Sequence, residues 1–316
     1  MSAPKGAGPF VRFTSFARPA EIALILLRVI VVISVVVGVP HWPDSAAHRF
    51  FEIAHAPGIP WRDTPVEYAL GDWIVIRAVG WGSLGLARIL LGLVAFVADL
   101  VTWRAIARGW GRDAATRYLW LGSPVLVFIY RRSDLVPVAL AAVGLAWARR
   151  DRARVGGVAL GASVLVKIWP IVVAPALLIE RRARALTFAA ITVVVGTGAW
   201  LAIGGFGALR QVGTFRGSTG WEIGSTIGVP VWAFTGQHRF EEGANRSGTI
   251  PAGAPEALLA LAVVSVTVIW LLARSRGYEP AGTPALAAVA ALLVCSPVFS
   301  PQYVAWLLPW AAVAGG

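Results

Sequence analysis

Four acidic residues lie inside or beside long apolar segments of this 316-residue chain: Asp44, Glu67, Asp99 and Asp134. An ionised carboxylate is costly in apolar surroundings, so such residues are candidates for a substrate or proton site. Asp44 follows the first apolar segment and also has a purely structural interpretation, as the N-cap of a helix over 45–55. Asp99 lies within the second apolar segment, where we expect it to pair with Arg28 or Arg104.

The histidine spacing raises the question of a metal site. His41, His48 and His55 repeat every seven residues, and Asp44 lies nearby. Zinc or manganese could use such side chains, but seven residues of helix span ~10 Å, which one ion cannot bridge directly. The sequence also lacks a phosphate-binding glycine loop and a nucleotide-sugar domain. We therefore expect no metal and no cofactor, and the donor of any transfer reaction would have to arrive through the membrane.

The composition indicates a protein that lies mostly in lipid. Hydrophobic residues make up 57% of the chain and charged residues 14%, whereas about 25% of a soluble domain is charged. The apolar residues form long runs such as 22–39 and 186–203, and roughly 20 apolar residues cross a bilayer as a helix. The net charge of +12 is spread over loops and not over an aromatic-rich patch, so we expect membrane lipid and not nucleic acid as a partner. The sequence predicts one all-α polytopic domain over 1–316.

The basic residues predict the topology. They cluster in five segments: 5–18, 104–117, 149–154, 181–184 and 274–276. The positive-inside rule places these segments in the cytoplasm, with the acidic segments facing out. The predicted spans, about nine or ten crossing or re-entrant helices, are 20–39, 84–103, 118–131, 134–148, 155–179, 185–203, 255–273, 283–297 and 303–314.

Segment 155–179 has basic residues at both ends, and Lys167 and Pro170 lie at its middle. Proline breaks a helix, and a lysine in hydrocarbon is costly. We expect a helix that rises to the outer side, breaks near Pro170 and returns as a shorter helix, with Lys167 facing a protein-lined cavity. The alternative is one straight helix in which the Lys167 side chain extends to the interface.

Two long segments, 40–82 and 204–254, are predicted to face outward. The first contains an amphipathic stretch over 42–56 that suits a helix lying at the membrane interface. The second is rich in glycine and polar residues, and its sequence predicts an irregular loop.

Four blocks of sequence, taken in their order along the chain, carry a resemblance to known proteins. The first holds Asp44, GIPWRD at 58–63 and VEY at 66–68, and the second runs from Ser123-Pro124 to the RRSD that ends at Asp134. The third is GGVALGASVLVKIWP at 156–170, and the fourth is SPVFSPQYVAW at 296–306. Together they resemble the polyprenyl-phosphate-mannose-dependent mannosyltransferases of glycosyltransferase family 87, which have the GT-C fold. The likeness covers about residues 20–310.

The resemblance implies a function and a set of site residues. Such enzymes move a mannosyl or related residue from a polyprenyl-phosphate donor to a glycolipid or glycan acceptor, outside the cytoplasm and with inversion. It implies Asp44 as general base and a multi-pass protein of a bacterial plasma membrane with an outward-facing site. The donor phosphate would contact Lys167, Arg131 and Arg132. Acceptor or sugar contacts would come from His48, Asp63, Glu67, Tyr68, Asp134, Glu222, Gln302 and Tyr303.

A membrane transporter or lipid flippase is the competing interpretation, since it would also use a broken helix and a site near the middle of the membrane. Transporters are often built from pseudo-symmetric halves, and the sequence shows none. A transporter also has no need for a large acidic outer loop. The pattern therefore favours the transferase.

Overall fold

The computed structural model describes residues 19–37, 45–213, 219–241 and 244–315. Asp44, His41 and the basic residues before position 19 lie outside these ranges, and the expectations for them stay predictions.

The described chain is 75% helical, with very little β-structure. Its helices are α1 (Pro19–Val37), α2 (Ser45–His55), α3 (Leu70–Gly80), α4 (Leu84–Trp110), α5 (Arg112–Gly122), α6 (Leu126–Ile129), α7 (Leu135–Arg149), α8 (Ala153–Val166), α9 (Ala176–Ile179), α10 (Ala183–Gly213), α11 (Gly228–Thr235), α12 (Ala254–Arg276), α13 (Thr283–Val294) and α14 (Leu308–Ala314). Short 3₁₀ turns cover Ser123–Val125, Trp169–Val173 and Pro301–Trp306, and the strands are β1 (Trp221–Glu222), β2 (Arg239–Glu241) and β3 (Ala244–Ser247).

Within the described ranges, four helices are long and apolar enough to cross a membrane: α1, α4, α10 and α12. The prediction of an all-α polytopic membrane protein is confirmed. The other predicted spans are shorter in the structure, because α7, α8 and α13 have 12 to 15 residues. At 1.5 Å per residue such a helix is about 18–22 Å long, less than the ~30 Å hydrocarbon layer.

Prolines explain why two predicted spans are divided. Segment 118–131 is interrupted by the 3₁₀ turn Ser123–Val125, which has Pro124 near its start. Segment 303–314 is split into the 3₁₀ turn Pro301–Trp306 and α14. A proline cannot donate the backbone hydrogen bond of a continuing helix, so it favours the start of a new turn.

Polar contacts bring the predicted basic loops together at one end of the bundle. Arg149, at the end of α7, pairs with Glu180 at 2.8 Å and with Glu279 at 2.5 Å. The Trp110 indole also donates to Glu279, over 3.3 Å. Four of the five basic clusters therefore lie at the same end, as the charge pattern predicts, and the fifth precedes the described residues.

The predicted break in segment 155–179 is confirmed. Helix α8 ends at Val166, and Lys167 has extended backbone angles (φ −143°, ψ 141°). A 3₁₀ turn with Pro170 near its start and the short helix α9 follow. Arg182, just after α9, pairs with Asp151, just before α8, so the chain returns to the end from which α8 started. The straight-helix alternative is wrong.

The expectation of an irregular loop over 204–254 is wrong. Helix α10 continues to Gly213 through a kink at Gly205, whose φ of +64° suits a residue without a Cβ. Helix α11 and a three-stranded antiparallel sheet in the order β1-β3-β2 follow. The strands have only two to four residues, too few for the alternation that identifies a strand.

Helix α2 matches the helix predicted over 45–55. Its apolar residues Phe50 and Ile53 are buried in a core with Trp61, Ile76 and Leu91. Helix α2 therefore uses its apolar face to pack on α3, α4 and the loop between α2 and α3. Helix α3 was not predicted from the sequence.

The predicted pairing of Asp99 with Arg28 is confirmed. Arg28 Nε lies 2.8 Å from Asp99 Oδ2, and both side chains are buried. The hydroxyls of Tyr118 and Tyr130 each donate to Asp99 over 2.6 Å. The four residues lie on α1, α4, α5 and the end of α6, so the network joins these elements. Its charged and hydroxyl groups have hydrogen-bond partners, which makes a buried polar network stabilising.

Candidate functional site

A buried ion pair lies at the break after α8, at the end of the bundle opposite the basic loops. Lys167 Nζ is 2.9 Å from Asp134 Oδ1, and the Trp306 indole donates to the same oxygen over 3.0 Å. Asp134 is the residue before α7, but its side chain makes no capping bond to that helix among the described residues. The carboxylate is therefore directed to the break and not to its own helix.

A second carboxylate, Asp72, lies next to this pair. Helix α3 approaches α8 so closely that a Cβ at Gly71 would lie 2.7 Å from the Val166 backbone nitrogen. Asp72 is buried, and burial raises its pKa to about 6, while the charge of Lys167 and the Ser133 hydroxyl act in the opposite direction. Sequence analysis did not select Asp72, although an acid followed by the apolar run WIVI is a usable signal.

Aromatic rings stack beside the ion pair. Trp306 stacks on Trp169 with ring centroids 5.1 Å apart and on Tyr303 with centroids 4.2 Å apart. Lys167 Nζ lies 5.9 Å from the centre of the Tyr303 ring. Trp169 and Trp306 are buried and Tyr303 is half-buried, so Tyr303 is the member of this stack that a ligand reaches first.

Three arginines line one cavity of about 220 Å³ on the same side: Arg88, Arg131 and Arg132. Gln302 also lines it, as do Ala46 and Ala47 of the first turn of α2. Arg131, Arg132 and Gln302 were predicted as site residues, and the structure brings them together. Arg88 was missed because it lies inside a predicted span, where an arginine is itself an unusual residue.

The cavity is small and is lined by three guanidinium side chains. Planar guanidinium groups hold phosphate and carboxylate oxygens through paired hydrogen bonds. Several of them around a small space favour a ligand with concentrated negative charge. An anionic group is therefore the ligand that this cavity fits best.

Glu222 approaches the cavity from β1. Burial raises its pKa to about 7, opposed by the charges of Arg246 and Arg132 and by the main chain of Phe299. Its backbone N–H donates to the Pro297 carbonyl over 3.2 Å, which fixes β1 against the segment before Gln302. Glu222 is thus placed beside one of the cavity arginines, and its predicted role in binding stays a prediction.

Glu67 and Tyr68 lie in the loop after α2, and both side chains contact residues of α2. Arg49 forms a two-bond contact with Glu67, with distances of 3.0 and 2.8 Å. Tyr68 packs edge-to-face on Phe50, with centroids 5.5 Å apart. The charge of Glu67 contributes to raising the pKa of Asp72, so Glu67 lies near the carboxylates Asp72 and Asp134.

Two predicted site residues have local roles in the structure. Asp63 accepts the backbone N–H of Ile59 over 2.8 Å and closes a tight turn. His48 is exposed on α2 and lies 3.3 Å from Glu52, one helical turn away. Neither side chain lines the arginine cavity. The described residues contain no group of three or more metal-ligating side chains.

The predicted roles of Lys167 and Asp44 stay predictions. The Lys167 ammonium is paired with Asp134, and it is not one of the residues that line the arginine cavity. Asp44 lies outside the described residues, but Ala46 and Ala47, which follow it closely in the chain, line that cavity.

Comparison with known proteins identifies the family. The sequence profile of glycosyltransferase family 87 matches residues 68–301, well over half of the chain. The matched region contains Asp72, Asp134, Lys167 and Glu222, and it begins after Asp44. No curated protein matches the chain. The chain therefore belongs to glycosyltransferase family 87 and is a membrane glycosyltransferase.

Proposed function

We propose that this protein transfers a mannosyl or related residue from a polyprenyl-phosphate donor to a hydroxyl of a glycolipid or glycan. The observation that carries the proposal is the cavity lined by Arg88, Arg131 and Arg132. It supplies concentrated positive charge at the end of the bundle opposite the basic loops. The positive-inside rule places those loops in the cytoplasm, so the cavity faces outward.

The reaction needs a group that stabilises the leaving phosphate. The acceptor oxygen bonds to the anomeric carbon, the bond from that carbon to the phosphate oxygen breaks, and polyprenyl phosphate leaves with increased negative charge. The arginines of the cavity are assigned to that phosphate, because preorganised cations act where charge develops. Lys167 is assigned to the same phosphate as a further cation, and its ammonium is paired with Asp134.

A base must accept the proton of the acceptor hydroxyl, and we assign this role to Asp44. Asp44 directly precedes α2, whose first turn lines the cavity. One carboxylate that activates an attacking hydroxyl opposite the leaving group produces inversion at the anomeric carbon, as in inverting glycoside hydrolases. A positioned general base contributes about 10²–10⁴-fold to the rate.

Other polar groups around the cavity suit sugar hydroxyls. Tyr303 offers a ring face, and Gln302 offers an amide at the cavity wall. The carboxyl of Glu222, with its pKa raised to about 7, can accept or donate a hydrogen bond near neutral pH. These residues are assigned to sugar or acceptor recognition, together with Glu67, Tyr68 and Asp134 from the adjoining wall.

The test is a transfer assay in proteoliposomes with radiolabelled polyprenyl-phosphate mannose and a panel of glycolipid acceptors. We expect a labelled glycolipid whose new glycosidic bond has the configuration opposite to that of the donor. Transfer with retained configuration would exclude the single-base mechanism. Absence of transfer from any polyprenyl-phosphate sugar, with flipping of the lipid across the bilayer instead, would favour the transporter.

A further inference from the structure

Helix α11 and the hairpin after it present an apolar surface outside the spanning helices. We call it the α11 surface and define it by Val229, Trp232, Phe234 and Phe240. These side chains are 49%, 44%, 90% and 75% exposed, respectively. The eight residues of α11, GVPVWAFT, include no charged side chain. An exposed apolar patch of this kind marks a contact with a membrane, a ligand or another protein.

Chain length keeps this surface close to the membrane. Helix α10 ends at Gly213 and α12 begins at Ala254, and both are long enough to cross. Only seven residues separate Gly213 from β1, and six separate β3 from α12. At about 3.4 Å per residue, each connection reaches at most roughly 25 Å. The α11 unit is therefore tethered at both ends to the membrane surface.

The α11 surface adds to the apolar exposure of the two helices that hold it. Phe206, near the end of α10, is 82% exposed, and Leu259 and Val263 of α12 are 62% and 58% exposed. On spanning helices such side chains face hydrocarbon. The hydrocarbon layer of the membrane is therefore within the reach of α11.

The residue types of the α11 surface favour lipid as its cover. Tryptophan and phenylalanine are typical of elements that lie in the membrane interface. Gly236 ends α11 with a left-handed backbone (φ 64°), and polar residues resume at Gln237 and His238. This order places an apolar element beside a polar rim, as expected at a bilayer surface.

We propose that the α11 surface inserts into the membrane leaflet nearest the arginine cavity and anchors the small sheet beside that cavity. Gly228 connects the anchor to the sheet, because its carbonyl accepts the Ser247 hydroxyl over 3.0 Å. Glu222 lies six residues before Gly228 and is bonded to the Pro297 carbonyl. The leaflet thus supports the wall that carries Glu222. This membrane contact does not depend on the proposed reaction.

The test measures the accessibility of spin labels in bilayers of phosphatidylglycerol and phosphatidylethanolamine. The chain has one cysteine, Cys295, which is first replaced by alanine. Single cysteines then replace Phe234 and Phe240, one at a time, in this Cys295→Ala background. Val263→Cys on α12 is the matched lipid control, and Arg62→Cys, in the exposed turn after α2, is the matched water control. Two positions on the α11 surface keep the test valid if one substitution disturbs folding.

We expect labels at 234 and 240 to resemble the label at 263, with faster relaxation by oxygen than by a water-soluble nickel chelate. Relaxation resembling that at Arg62→Cys would overturn the proposal, because it would show the surface in water. Immobilised labels that neither reagent reaches would also overturn it, since a second copy or another protein would then be the cover.

Discussion

Lys167 and Asp134 form a buried ion pair, 2.9 Å apart, at the break where α8 ends. The pair joins two segments that are 33 residues apart in sequence. Asp134 is 2% exposed and Lys167 is 21% exposed. Removing one member leaves the other charge in a poorly hydrated site, so the pair has a clear signature in a double-mutant cycle.

Asp134→Asn is expected to destabilise the protein by about 3 kcal/mol, because it leaves the Lys167 ammonium without its carboxylate. Lys167→Met in the same chain should restore much of that loss, since it removes the unmatched charge. Thermal unfolding in detergent, followed by the monodisperse fraction, measures both effects. Asp63→Asn, at an exposed turn, is the matched control with a loss below about 1 kcal/mol. Additive losses from Asp134→Asn and Lys167→Met would contradict the pairing.

The buried carboxyl of Asp72 predicts a pH dependence of stability. Its pKa is raised to about 6 in the folded protein, whereas an unfolded aspartate titrates near ~4. Between these values the folded state binds more protons, so its contribution to stability falls as pH rises from about 4 to about 6. Asp72→Asn should remove this contribution, which is on the order of 2–3 kcal/mol.

The measurement for Asp72 is the difference in unfolding temperature between wild type and Asp72→Asn, recorded from pH 4.5 to 7.5. The variant should gain stability relative to wild type as pH rises and then reach a plateau above pH 7. Glu52→Gln, on the exposed side of α2, controls for general charge effects. A difference that does not change with pH would show that Asp72 titrates normally.

The sequence was sufficient to predict the break at Lys167, because a proline and a lysine at the middle of an apolar segment are rarely compatible with one continuous spanning helix. The pairing of Asp99 with Arg28 could also be predicted, because a charged side chain inside a span is costly unless an opposite charge pairs with it. Both inferences depend on rules that act within one segment or between neighbouring spans.

Asp72 and Arg88 were missed for a different reason. The Asp72 carboxyl interacts electrostatically with Lys167, 95 residues away, because Gly71 lets α3 approach α8 closely. That approach of the two helices has no local sequence signature. Arg88 was assigned to an ordinary span, although it lines the cavity. The small sheet was missed because its strands are too short for a periodic pattern.

Cysteine labelling tests which end of the bundle faces outward. Cysteines replacing Arg62 and Gln237 should react with an impermeant thiol reagent in intact cells, and one replacing Arg152 should not. Arg62 is preferable to Gly58, whose φ is +84° and where a Cβ would lie 2.7 Å from the Cβ of Asp63. All variants carry Cys295→Ala. Labelling at 152 but not at 62 and 237 would show that the orientation is the opposite of the predicted one.

Asp44→Asn is expected to reduce transfer by at least about 10²-fold, because an amide cannot accept the proton of the acceptor hydroxyl. Asparagine retains the ability to cap α2, so unfolding temperature and donor binding should change little. Asp63→Asn, in the exposed turn after α2, should keep activity within about threefold. Activity of Asp44→Asn within threefold of wild type would exclude Asp44 as the base and leave it the role of a helix cap.

The most direct test of the central claim is donor kinetics of Arg131→Gln and Arg88→Gln in proteoliposomes, with Arg152→Gln as control. Arg152 is exposed at the basic end. Replacing it by glutamine therefore removes one positive charge, as in the other two variants, but far from the cavity. Losing one charged hydrogen bond to the phosphate costs about 1.5–3 kcal/mol. We therefore predict that kcat/KM for the donor falls about tenfold to 150-fold for both cavity variants, with every acceptor, and is unchanged for Arg152→Gln. Equal and small effects for all three variants, in protein that remains folded, would contradict the assignment of the cavity to the donor phosphate.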